Sequence, residues 1–176
     1  MRVFLEEQQV KMIKYNSLMK EKLSRIKDLS STEIKGELSV LWPEFYETSG
    51  FYFMRICNGE KYANLDRDRM LEMHDYATYL EAGCSDCRIN DFFEVENDDE
   101  RLKLAFTIAD MWAVKLSNLF PQEEFHIVIA EKDGNITMRF HKFRDDEPTW
   151  LEEDDLDGYE SEAICVMIVG KKEKDD

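Results

Sequence analysis

Glu124-Phe-His-Ile-Val-Ile-Ala-Glu-Lys132 and Ile136-Thr-Met-Arg-Phe-His-Lys-Phe143, with Asp133-Gly134 between them, decide the fold. Both runs are rich in β-branched and aromatic residues. The dipeptide that separates them suits a type I′ turn, which needs positive φ at both central residues. A two-residue loop sets the register. Phe125, Ile127 and Ile129 then face Lys142, Phe140 and Met138, with Glu131 opposite Ile136, so one face of the hairpin is largely apolar. On the other face the same register sets His126 opposite His141, Val128 opposite Arg139 and Ala130 opposite Thr137.

Working outward, Ala163-Ile-Cys-Val-Met-Ile-Val169 is continuously apolar and predicts an inner strand covered on both faces. Upstream, Asp98-Asp-Glu100 opens the clearest helix, Leu102 to Phe120, which Pro121 stops. Acids in a first turn complement the helix dipole, and apolar residues cover most of the circumference, as in a central helix packed on several sides. Glu60 to Glu81 carries helical spacing, and Gly83 lies where such a helix should end. Gly50 to Cys57 reads as a strand or buried extended segment, with a short helix as the alternative, and Cys84 to Asn97 as irregular. At the front, Leu5, Met12, Met19 and Ile26 recur every seven residues without Gly or Pro, which predicts one long amphipathic helix. A second helix is expected over Glu33 to Leu41. The fold class expected is α+β: N-terminal helices packed on a C-terminal antiparallel sheet of three to four strands. Residues 1–170 form a single domain in this reading, with a long helix at 1–27, a central helix at 98–120 and a β-rich part at 123–169. A charged tail follows at 171–176.

Charge bounds the function. Asp plus Glu is 39 against 23 Lys plus Arg, a formal net charge of −16 in 176 residues. Residues 1–144 carry 26 acids and 20 bases, whereas residues 145–176 carry 13 acids and 3 bases. Asp145 to Glu162 holds ten carboxylates and no Lys or Arg. That field repels nucleic-acid backbones and anionic membrane surfaces, both of which are bound by clustered cations. No apolar run is long enough for a membrane span, and the N-terminus lacks the apolar core of a signal peptide. Four cysteines are too few for a disulfide scaffold at this length, which points to reduced thiols in a cytoplasm. The partner expected is a basic protein, with neither nucleic acid nor membrane. Oligomeric state is open, a homodimer included.

Several motifs invite chemistry. His126, Arg139 and His141 share one sheet face, where two imidazoles beside a guanidinium suit a metal, an anion or an acidic substrate group. Spacing dictates no third ligand, and a half-exposed face of ordinary polar residues is the favoured explanation. Cys84-Ser-Asp-Cys87 is one CxxC, and a structural zinc needs a second pair that is missing. Glu153-x-Asp155-x-Asp157-Gly158 imitates the start of a calcium loop but lacks the bidentate Glu at its twelfth position, which is Ile164. Arg144 and Trp150 are residue types enriched at interface hot spots. Phosphate loops, nucleophile elbows and HExxH are absent.

The function expected is a small acidic protein-binding module, with an immunity-type neutraliser of a basic toxin or nuclease as its sharper form. The candidate binding residues are His126, Arg139, His141, Arg144, Trp150, Glu152, Glu153, Asp154, Asp155 and Asp157. No catalytic residue, metal site or cofactor is assigned, and an enzyme is the less favoured class. The alternative is a ligand- or metal-binding protein, or an enzyme, built on the His126/Arg139/His141 face.

Overall fold

The computed structural model describes residues 10–26 and 35–170. Its elements run β1 (Val10–Tyr15), α1 (Ser17–Arg25), β2 (Lys35–Gly36), β3 (Phe45–Thr48), β4 (Phe51–Met54), α2 (Arg55–Asn58), α3 (Arg67–Met73), α4 (Ala77–Cys84), β5 (Cys87–Arg88), α5 (Ile89–Phe92), β6 (Phe93–Glu94), α6 (Asp98–Leu119), β7 (Phe125–Lys132), β8 (Asn135–Lys142) and β9 (Ala163–Val169), with 3-10 turns at Leu38–Val40 and Leu156–Gly158. The chain is mixed α+β. Its main sheet is antiparallel and five-stranded, in the order β1-β9-β7-β8-β5.

The hairpin forms in the expected register, Phe125 opposite Lys142 through Lys132 opposite Asn135. Asp133 and Gly134 both adopt positive φ, 51° and 78°, as a type I′ turn requires. Phe125, Ile127 and Ile129 with Met138 and Phe140 make the inner face, joined by Cys165 and Met167 of β9. Helix α6 lies across that face and buries Leu102, Leu104, Ala105, Ile108, Ala109, Trp112, Ala113 and Leu116. Asn97 caps it by accepting from the Asp99 and Glu100 amides. The Trp112 indole N–H donates to the Val40 carbonyl at 2.8 Å, so the largest buried side chain also has its polar atom satisfied. Every residue of β9 is buried, because β1 and β7 flank it and both its faces are covered. Side chains of this kind contribute roughly 1.5–3 kcal/mol each when fully withdrawn from water.

Several expectations are corrected. The front of the chain is not one long helix: residues 10–15 are a strand on the open edge of β9, and only Ser17–Arg25 is helical. Of the seven-residue series, Met19 is buried in α1, Met12 lies half-exposed on β1, and Leu5 falls outside the described residues. The pairing groups of β9 overrode a helical pattern, since an inner strand left without a neighbour would bury unsatisfied amides and carbonyls. Asn16 ends the strand and starts the helix. Its Oδ1 accepts from the amides of Met19 and Ile164, both at 2.9 Å, and its Nδ2 donates to the Glu162 carbonyl. The helix expected over Glu33 to Leu41 is, where described, the short β2 and a 3-10 turn. Residues 51–54 form a strand but pair with Phe45–Thr48 in a separate hairpin, outside the main sheet. The fourth and fifth strands of the main sheet are β1 and β5. The helix expected over Glu60 to Glu81 divides into α3 and α4. The 171–176 tail lies outside the described residues.

Candidate functional site

The outer face of the sheet carries Val128, Ile164, Val166 and Ile168, which are too apolar to meet water. The segment 143–162, between β8 and β9, folds over them as a strap. Its apolar residues Trp150, Leu151, Leu156 and Tyr159 pack on that face. Its polar anchors reach in three directions. Glu147 Oε2 accepts from the amide and hydroxyl of Thr78, at 2.8 and 2.9 Å, and so closes the first turn of α4. Asp157 Oδ1 accepts from the Ser17 amide at the start of α1, at 2.6 Å. That contact holds the Asp157 carboxyl below the ordinary aspartate value. Glu153 points inward.

Under the strap the two histidines of the hairpin meet. Their ring centroids are 5.1 Å apart, and Phe143 stacks on His126 at 5.2 Å. His126, His141 and Glu153 are 3%, 1% and 8% exposed. Glu153 Oε1 lies 2.5 Å from His126 Nδ1. A carboxylate only accepts, so this ring nitrogen carries the hydrogen. His141 donates Nδ1–H to the Lys142 carbonyl at 3.1 Å. In neither ring does Nε2 have a hydrogen-bond partner. Leaving each buried and unmet costs roughly 1–3 kcal/mol. Burial, with His126 adding to it, pushes His141 down to about 4, so that ring is neutral at physiological pH. Glu124 Oε1 lies 3.5 Å from His126 Nε2. Lys14 Nζ stands 3.6 Å from Glu153 Oε2 and 3.4 Å from Asp154 Oδ1.

The structure thus brings His126, His141 and Glu153 together and separates the other candidates from them. Arg139 turns away to Asp86, at 2.6 Å, with its guanidinium 5.8 Å from the Trp150 ring centre. It lines a shallow groove with Trp150, Leu151 and Tyr159. Trp150 is half-buried and meets Tyr79 edge-on. Arg144 is interior, its side chain only 9% exposed: it binds both oxygens of the wholly buried Glu81 and the Gly50 carbonyl. Glu152, Asp154, Asp155 and Asp157 are exposed along the strap. The calcium-loop likeness does not hold, because Glu153 enters the sheet face while Asp157 leaves for α1. The half-exposed polar face expected around the histidines is instead sealed.

Three buried acids carry no sequence signal of their role. Glu81 accepts from the Tyr52 and Lys142 amides as well as from Arg144. Burial pushes its carboxyl up, and these donors oppose the shift. Glu131 pairs with Lys22 at 2.6 Å, and Glu153 meets His126. Asn16 did have a signal, a cap residue followed by Ser-Leu-Met-Lys, which the seven-residue spacing obscured. All four cysteines are free thiols. Among the described residues, no helix is long and apolar enough to cross a membrane.

No curated protein and no solved structure matches the chain. The model of the Uncharacterized protein PM0498 family matches residues 14–174, which take in α1, α6, the hairpin and the whole strap, and the chain belongs to that family.

Proposed function

We propose that the protein is a protein-binding module whose strap docks on a basic partner. One observation carries the reading. Asp145, Asp146, Glu152, Asp155 and Glu160 are all exposed on one segment, while the ion pairs of that segment, among the described residues, go to Glu147, Glu153 and Asp154. The strap's interior anchors hold these outward carboxylates in place, so docking has less chain entropy to overcome. Complementary charge of this kind chiefly raises association rate and selects partners. A reducing, cytoplasmic setting belongs to this reading and agrees with the four free thiols.

An immunity-type role, neutralising a cationic toxin or nuclease, is the sharper form. The alternative, a ligand or catalytic site using His126, Arg139 and His141 as one unit, has less support because Arg139 is engaged by Asp86.

The test is affinity capture from native lysate with graded salt, run beside a variant in which the five outward carboxylates become Asn or Gln. The expected result is a basic protein retained by the parent, released as salt rises and not retained by the variant. Equal retention by both would remove the reading. Loss of the captured protein's own activity on binding would support the immunity form.

A further inference from the structure

We propose that His126, His141 and Glu153 form a buried site for a zinc-type divalent cation, which fastens the strap to the sheet. Their ligand atoms all lie within 4.8 Å of one another. A tetrahedral ion with bonds of about 2.0–2.1 Å needs donors about 3.4 Å apart, a closure within reach of small side-chain rotations. Two imidazoles and one carboxylate are a donor set that suits zinc and its neighbours in the first transition row.

Three independent features point to a cation. His141 Nε2 is buried without a hydrogen-bond partner, and an unpaired lone pair in a sealed site is what a metal ion satisfies; His126 Nδ1 and Glu153 Oε1 already face each other at 2.5 Å, and the ion takes the place of the proton between them. The Nδ1–H of His141 is held by the Lys142 carbonyl, an outer contact of the kind that orients a metal-binding imidazole and leaves its other nitrogen free. Finally, His126 Nε2 faces Glu124 Oε1 at 3.5 Å, an outer acceptor for the hydrogen that this ring carries on Nε2 once Nδ1 holds the ion. The charged groups around the site are Glu153, Glu124 and Asp154, with Lys14, Lys11 and, toward His141, Arg144, which is itself paired with Glu81.

The site joins three parts of the chain: β7 through His126, β8 through His141 and the strap through Glu153. An ion that binds this arrangement and not the unfolded chain stabilises the fold by mass action. The inference stands apart from partner docking, since the donors are covered and the docking carboxylates face outward.

The experiment uses the full chain, stripped with chelator and shown to stay folded by circular dichroism, then titrated with Zn²⁺ against a chromophoric competitor. Co²⁺ is added in parallel to read the coordination sphere from its visible spectrum. The expected results are one ion per chain, a raised Tm, and an intense tetrahedral Co²⁺ band without thiolate charge transfer. Glu153→Gln, nearly the same shape, should weaken binding at least tenfold, and His141→Gln should abolish it. His74→Gln, which removes the third histidine of the chain, and the pair Asp154→Asn/Asp155→Asn should bind like the parent. Should His141→Gln fail to fold, Glu153→Gln still decides. The proposal is overturned by absence of stoichiometric binding, by parent-like binding in Glu153→Gln, by thiolate charge transfer indicating Cys57, Cys84 or Cys87, or by loss confined to the Asp154/Asp155 variant.

Discussion

Glu153 and His126 are 27 residues apart in sequence, yet Oε1 of one and Nδ1 of the other stand 2.5 Å apart under a layer of side chains that excludes water. A buried carboxylate needs a donor, and His126 supplies one from the sheet face that the strap covers. It marks where the strap is tied to the sheet, and the other ties make further behaviour calculable.

The strongest of them is Arg144 with Glu81, joined at 2.6 and 3.1 Å in a site where Glu81 is wholly buried. Arg144→Met keeps much of the volume and strands the carboxylate. Breaking a buried pair by removing one partner costs about 3–5 kcal/mol, which urea denaturation will read as a lowered midpoint at unchanged slope. Glu81→Gln in the Arg144→Met background should recover part of the loss. A cost below about 1 kcal/mol, the range of an exposed pair, would mean that the pair is solvated.

Two glycines should respond in opposite directions to alanine. Gly134 holds φ of 78°, and a Cβ there would come within 2.9 Å of Asp98 Oδ1. Gly134→Ala should destabilise by about 1–2 kcal/mol from the backbone alone. Gly83 lies within α4 with open space around it. Gly83→Ala should stabilise by about 0.5–1 kcal/mol. Thermal melts of the two variants side by side test this, and shifts of the same sign would contradict it.

Asp157 offers a readout of the strap's tie to α1. The Ser17 amide favours its ionised form, so the folded-state value lies below the ordinary 3.8. A depressed carboxyl adds stability that is complete above the unfolded value and is lost as pH falls through the folded one. A carboxyl-carbon NMR titration should therefore place the Asp157 midpoint below 3.8, and Ser17→Pro, which removes the amide hydrogen, should raise it. A midpoint at or above 3.8 in the parent would show that the tie is absent in solution.

Much of the β-rich half was legible in the chain itself. Asp133-Gly134 allows one tight turn, and that turn fixes which residues face each other, so the His126–His141 pairing followed from local chemistry alone. Asn97 with the acids behind it, and Pro121 at the far end, likewise bound α6 by local rules. Residues 10–26 misled because a seven-residue spacing describes one face of a helix only if nothing competes for the backbone. Here the unpaired edge of β9 did.

Local chemistry by itself determined the hairpin, its register, the central helix, the inner strand and the excess of acid after residue 144. Tertiary structure alone decided that β1 completes the sheet, that Arg144 is interior, and that of ten carboxylates between 145 and 162 one enters the sheet face to meet two histidines. The division has a physical cause. Turns, caps and periodicity act between residues a few positions apart, whereas the side chain that closes a buried polar site is chosen by whichever distant segment covers it.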